Sequence, residues 1–326
     1  CPLGAEHDTA RQLEDVGAPL VVLPSLFEES IRSEALATTA AVDTPKNAFA
    51  EALSYLPEPD SFMIGTEEYL DRLRKVKESV SIPVIGSLNG STRGGWVEYA
   101  TQIEQAGADA IELNLYQVPT DMDRSGSDLE NESLDIVEQV KQRVSIPVAV
   151  KLSPFYSSLP FFAGCLDKAG VEGIVLFNRF YQADINIEEL EMERSLKVST
   201  SAELLMRLRS VAILSGRINA SLAITGGVHT AEDAIKAVMA GAHAVQFVSA
   251  LMLHGPAHLK RIVTEVAAWL EEHEYESLEQ MQGSMSLQHS PNPQALTRAN
   301  YVYILQNWRS TLDIASEAGR SPSSTF

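Results

Sequence analysis

Apolar residues gather in seven short runs, at 20–26, 83–89, 110–116, 147–153, 173–179, 221–227 and 244–251. Each run turns polar or glycine-rich at its end, and each is followed by residues with helical periodicity. Short apolar runs bounded by turn residues predict buried strands, and strand-then-helix repetition predicts a parallel sheet covered by helices. In that architecture the chemistry sits at the C-terminal ends of the strands.

The junctions into the strands are of two kinds. Gly17-Ala18-Pro19, Gly107-Ala108-Asp109, Gly170-Val171-Glu172 and Gly241-Ala242-His243 carry a helix-stopping glycine; Ser81-Ile82-Pro83, Ser145-Ile146-Pro147 and Ala220-Ser221-Leu222 do not. The two kinds alternate along the chain, which predicts a barrel built from similar β/α pairs. Extended backwards, the alternation predicts another strand before residue 1, so that Cys1 to Gly4 is the loop after it and residues 8–16 the first helix. The expected fold is therefore a TIM (β/α)8 barrel whose first strand is missing from this chain, leaving two unpaired edges. The barrel is assigned to residues 1–284. Residues 285–326 form a helical extension and tail, where Tyr301, Tyr303, Ile304, Leu305 and Trp308 present an aromatic face to the barrel or to a second subunit, as in a homodimer.

Several details follow from local pattern. Pro24 confines regular pairing of the first run to the part before it. Residues 27–64 are a long connection, read either as a lid over the mouth or as a solvated excursion. Helices are expected at 66–79, 96–106, 131–144, 156–169, 231–240 and 259–272, with a flexible turn at 90–95 and a loop at 117–131. Thr200 to Glu203 reads as a capping box, and Cys165 as a core thiol.

Composition narrows the function. A net charge of −19 and a pI near 4.8 argue against nucleic acid, which needs a basic footprint. No run of about eighteen apolar residues is present to span a membrane. Two cysteines are too few for a disulfide framework and suit a reducing cytoplasm.

Lys151 ends the run Pro147-Val148-Ala149-Val150-Lys151-Leu152-Ser153, where a buried strand should carry no charge. Alternation puts Ala149, Lys151 and Ser153 on one side, and Glu112, Asn114 and Tyr116 on one side of their own strand. Buried polar groups need partners, either one another, water or a ligand; a snorkelling surface lysine is the bland alternative. Asn89 ends its strand on the face of Ile85 and Ser87. Thr225-Gly226-Gly227-Val228-His229-Thr230 joins a strand to a helix, and with Ser249 it predicts phosphate binding on backbone amides. His254 and His258 have metal-like spacing, but Gly255-Pro256 between them marks a helix start and argues against a site.

Five segments in order, Glu112-Leu113-Asn114-Leu115, Val150-Lys151-Leu152, Phe177-Asn178, Thr225-Gly226-Gly227-Val228 and Val248-Ser249-Ala250-Leu251, resemble the dihydroorotate dehydrogenase family of flavin-dependent barrels, in its soluble class 1 branch. The resemblance runs from Cys1 to about Ser284 and implies bound FMN, a small-molecule substrate and a place in pyrimidine biosynthesis. It implies phosphate on Gly226, Gly227, Val248 and Ser249, with Cys1, Ser25, Asn89 and Phe177 bordering the flavin. Asn114 would touch flavin and substrate, Lys151 would stabilise the anionic reduced ring, and Asn178 and Arg179 would meet the substrate. The family's base falls at Gln117, a carboxamide that accepts no proton at neutral pH. The family's lysine before Ser25 is Pro24, a substrate-holding asparagine has no clear counterpart between Asn47 and Asp60, and Val248 replaces a usual glycine. Tyr116 and Tyr181 are the alternative proton-transfer groups. Two other readings are carried: a flavin-free lyase or aldolase using Lys151 as a Schiff base, and a non-catalytic flavin-binding homologue. No iron–sulfur cysteine spacing occurs, so the sequence does not identify the electron acceptor; a separate acceptor protein is one candidate partner.

Overall fold

The computed structural model describes residues 7–28, 65–90, 92–179, 183–193 and 196–306. After helix α1 (His7–Asp15), strand and helix alternate: β1 (Val21–Phe27), α2 (Thr66–Ser79), β2 (Val84–Asn89), α3 (Arg93–Gln105), β3 (Ala110–Leu115), α4 (Gly126–Arg143), β4 (Val148–Leu152), α5 (Leu159–Lys168) and β5 (Gly173–Leu176). A small antiparallel hairpin, β6 (Asp184–Asn186) and β7 (Glu191–Glu193), precedes α6 (Leu204–Leu214), β8 (Ser221–Thr225), α7 (Ala231–Ala240) and β9 (Ala244–Gln246). The chain continues through α8 (Ser249–His254), α9 (Ala257–Glu272), α10 (Leu278–Met281) and α11 (Ala299–Gln306).

The main sheet is parallel throughout, in the order β1-β2-β3-β4-β5-β8-β9. It is strongly curled. In a flat sheet β3 and β9, four places apart, would lie about 19 Å from each other at roughly 4.8 Å per strand. Instead Gln246 of β9 hydrogen-bonds Glu112 of β3 directly, at 2.6 Å. The seven strands are thus most of a TIM barrel with its wall open between β1 and β9, as the incomplete (β/α)8 reading expects.

Each strand buries one face under the helices. Val148, Val150 and Leu152 of β4 are fully buried, whereas Ala149 and Lys151 face the interior and are half-buried. Helix α2 presents Tyr69, Leu70, Leu73 and Val76 to the sheet, and α7 presents Ala234, Ala237 and Ala240, small residues that let it lie close. Helix α7 has its own start and stop signals: Thr230 caps it reciprocally with Asp233, and Gly241 closes it at φ +117°. The other three predicted helix-stopping glycines, Gly17, Gly107 and Gly170, also have positive φ.

Local chemistry moved several boundaries. Pairing of β1 does not stop at Pro24 but resumes beyond a break, with Ser25 opposite Ser87 and Phe27 opposite Asn89. Thr92 accepts a hydrogen bond from Gly95 N and starts α3 inside the expected flexible turn. Ser125 and Asp128 form a capping box that starts α4 inside the expected loop. Strand β3 ends at Leu115, where Tyr116 N turns back to Asn114 O, so Tyr116 lies just beyond the strand. Helix α5 is shorter than expected, β5 stops at Leu176, and β9 stops at Gln246, where α8 takes over residues read as strand. The hairpin β6–β7 was not foreseen in what read only as an acidic loop. Cys165 is half-buried and not a core thiol. In α11 the side chains of Tyr301, Tyr303, Ile304 and Leu305 are exposed among the described residues. Phe27 of the expected lid is in β1, and the rest of that segment beyond residue 28, including Asn47 to Asp60, lies outside the described residues, as do Cys1, Tyr181 and Trp308.

Candidate active site

The charged centre of the barrel is built from three strands. Register places Asn114 opposite Lys151 and Glu112 opposite Ala149, all four facing inward. Lys151 Nζ donates to Glu112 Oε1 at 3.1 Å, and Gln246 Nε2 donates to Glu112 Oε2 at 2.6 Å. Gln246 Oε1 lies 3.5 Å from Lys151 Nζ and completes the ring. Glu112 is 2% exposed and the Lys151 side chain 17%. A carboxylate this deep persists only if paired and hydrogen-bonded, which both of its oxygens are.

Beside it is a polar column at the ends of β1, β2 and β3. Asn114, 3% exposed, donates through Nδ2 to Ser87 Oγ at 2.8 Å and Ser25 Oγ at 3.0 Å, and these two hydroxyls are 2.8 Å apart. Asn178 Nδ2 reaches Asn114 Oδ1 at 3.5 Å, and Asn178 N is anchored on Leu152 O at 2.7 Å. The column stands where the β1–β2 ladder breaks. Pro24 has no N–H to give, and the hydroxyl of Tyr69 fills the break, donating to Ser87 O at 3.1 Å and accepting from Ser87 N at 2.9 Å. Burial pushes the Tyr69 hydroxyl well above its ordinary value, with the Glu112 charge adding to the effect, so it stays a donor at any working pH.

The third part follows β8. Gly226 and Gly227 have φ +81° and +82°, and a Cβ on Gly227 would lie 2.6 Å from Leu204 N. Only glycine fits both the conformation and the space. Ser199 knits this turn to α8: its Oγ accepts from Gly227 N at 3.2 Å and lies 3.1 Å from His229 Nε2, while Ser199 N donates to Ser249 Oγ at 3.0 Å. Behind the turn, the guanidinium of Arg207, a residue 3% exposed, donates to Thr225 O and Glu203 O. Burial pulls Arg207 below its ordinary pKa, with Glu203 opposing, yet an arginine there remains a cation. Burial likewise lowers His229, against the pull of Asp233, and favours its neutral form.

An interior cavity of about 710 Å³ has Ser25, Ser87, Glu112, Lys151 and Gln246 at its polar end, and runs along the open wall past Val21, Val245 and Val266. Of the residues expected to bind a cofactor, Ser25, Lys151 and Val248 line it; Asn114, Gly226, Gly227 and Ser249 stand outside its lining, at or just beyond the strand ends. Phe177 is buried, and Asn89 is half-buried at the end of β2. Gln117 is exposed in the loop after β3 and is not among the cavity residues. His258 Nε2 bonds His229 O at 2.8 Å, so that ring nitrogen is engaged with backbone. Sequence reasoning missed Gln246, Tyr69, Ser199 and Arg207. Ser87 and Glu112 were visible as polar residues on inward faces, but Gln246 had no such signal in a run read as one long strand.

A curled parallel sheet with a lysine, carboxamides, hydroxyls and a diglycine turn near its strand C-terminal ends defines a TIM-barrel enzyme. The family model described as Dihydroorotate dehydrogenase matches residues 63–270. The chain is 30% identical over 225 residues, 67% of its length and 71% of the relative's, to dihydroorotate dehydrogenase B (NAD(+)), catalytic subunit, of Methanocaldococcus jannaschii. Relatives of the same name match at 28% over 222 residues in Thermoplasma acidophilum (67% and 73%) and 28% over 225 residues in Bacillus mycoides (67% and 72%). The chain belongs to the dihydroorotate dehydrogenase family, flavin-dependent oxidoreductases acting on CH–CH groups. No described helix is long and apolar enough to cross a membrane.

Proposed function

We propose that the chain is an FMN-dependent oxidoreductase that takes a hydride from a CH–CH unit of a small polar substrate, dihydroorotate or a related compound, and passes the electrons to a separate protein. Bound at the mouth, FMN supplies the hydride acceptor. The observation that carries the reading is the Lys151 ammonium, paired with Glu112 in the barrel interior and opposite Asn114 in register.

The donors present suit this cofactor. The glycine turn, which no side chain could occupy, and the Ser199 and Ser249 hydroxyls linked to it would hold the phosphate, with Gly227 N exchanging its Ser199 Oγ partner for a phosphate oxygen and the Arg207 cation behind them. Lys151 and Asn114 would hold the polar edge of the ring. Asn178, tied to Asn114 and to β4, would orient the substrate, and Phe177, Ser25 and Asn89 would border the site. Gln117 cannot remove the substrate proton, so a substrate more acidic than dihydroorotate, or a base such as Tyr116, is required.

The Schiff-base lyase reading is weaker. A Schiff-base lysine must shed its proton, and Lys151 is engaged as a donor to Glu112.

The test is the visible spectrum of the purified full-length protein, followed by anaerobic dihydroorotate. A flavin spectrum is expected, with slow or no bleaching by dihydroorotate and bleaching by another CH–CH substrate. A protein that neither carries nor takes up FMN overturns the proposal.

A further inference from the structure

We infer that Glu112 is a positioning residue: acting through Lys151, it holds the ammonium beneath the mouth and sets how much of its charge reaches a bound ring. The inference rests on the flavin reading above and goes beyond it, because Glu112 touches Lys151 and Gln246 and need not touch cofactor or substrate.

Geometry carries the argument. Glu112 sits one inward position earlier on β3 than Asn114, with Lys151 opposite Asn114 on β4. Its two oxygens are divided between two strands, Oε1 receiving Lys151 Nζ from β4 and Oε2 receiving Gln246 Nε2 from β9. Gln246 Oε1 at 3.5 Å from Nζ limits where the ammonium can swing. The neighbours of the ring are neutral: the hydroxyls of Ser25 and Ser87 line the same end of the cavity, and Tyr69 stays protonated. Lys151 and Glu112 are therefore a pair of net charge zero in a low-dielectric interior. Beyond a few ångströms the field of such a pair falls off as a dipole, whereas a lone ammonium would act at full strength. The carboxylate thus attenuates the lysine while fixing its place. Gln246 secures the arrangement, since an acid held by Lys151 alone would be free to rotate with it.

The two effects separate by experiment. In the FMN-loaded full chain, the oxidised-to-reduced equilibrium of the flavin is measured against reference dyes. Glu112→Gln is expected to shift it at least tenfold toward the reduced form, about 30 mV for a two-electron couple. Lys151→Met is expected to shift it the opposite way, and the double variant to return within about threefold of wild type. If the single Glu112 variant does not fold, the comparison of Lys151→Met with the double variant decides, because removing the acid should then move the equilibrium back by the same factor. An equilibrium unmoved by removal of the acid overturns the inference. If the protein takes up no flavin, the flavin reading fails but the positioning role is still read out. In the flavin-free chain, the Lys151 ammonium protons, followed by nitrogen-15 NMR, should exchange at least tenfold faster in Glu112→Gln. Unchanged exchange would overturn the positioning role independently of any cofactor.

Discussion

Glu112 Oε2 and Gln246 Nε2 lie 2.6 Å apart although their strands stand at the third and seventh places of the sheet. One side-chain hydrogen bond thus spans the barrel and completes the coordination of a buried acid. Replacing Gln246 by Leu strips one oxygen of its partner, which for a buried charged acceptor costs about 3 kcal/mol or more. Urea unfolding should show a stability lower by that amount, read as a lower midpoint with an unchanged slope.

Tyr69 is the second such link. Its hydroxyl satisfies both backbone groups of Ser87 at the break opposite Pro24, and Ser87 in turn supports Asn114. Tyr69→Phe should cost about 1–3 kcal/mol and leave the Ser87 amide without its partner. Hydrogen exchange at Ser87 should accelerate while that of β4 stays slow, a pattern a general loss of packing would not produce.

The diglycine turn makes a steric prediction. Gly227→Ala combines a φ of +82° with a Cβ 2.6 Å from Leu204 N, so the turn must shift. Affinity for FMN, measured by fluorescence titration of the flavin-free chain, should fall at least tenfold, about 1.4 kcal/mol, while Gly94→Ala, where no atom crowds the added Cβ, should leave it unchanged.

Asp233 predicts an acid limb of stability. Burial raises its pKa, but the Ser201 hydroxyl and the amides of His229 and Thr230 outweigh that and hold it below the ordinary carboxylate value. The unfolded chain then binds the proton more readily, so the contribution is present above about pH 3.9 and is lost as pH falls through the lowered native value. His229, lowered by burial, acts in the same direction at higher pH: its contribution is present above about pH 6.5 and declines below it. Denaturant midpoints measured from pH 8 to 3 should fall, and Asp233→Asn should flatten the lower part of the curve and move the His229 part to lower pH, because it also removes the charge that opposes the burial of His229.

How much of this was legible in the sequence follows from the range of the forces involved. The seven strands, the helix-stopping glycines and the Thr230 cap could be read because alternation, φ > 0 and capping are local, each decided within a few residues. Lys151, Asn114 and the Gly226–Gly227 turn stood out for the same reason, as residues that contradict their own local environment. Local signals failed where two were in competition, as at Ser125 and Thr92, whose caps opened helices inside segments that read as loop or turn. What the sequence by itself could not determine was which distant groups meet. Glu112 with Gln246, Tyr69 with Ser87, and Ser199 with Gly227 and Ser249 are separated by 134, 18, 28 and 50 residues. They come together only because the parallel sheet curls, and that curl is the sum of strand twist and helix packing over the entire chain, a property no short stretch encodes.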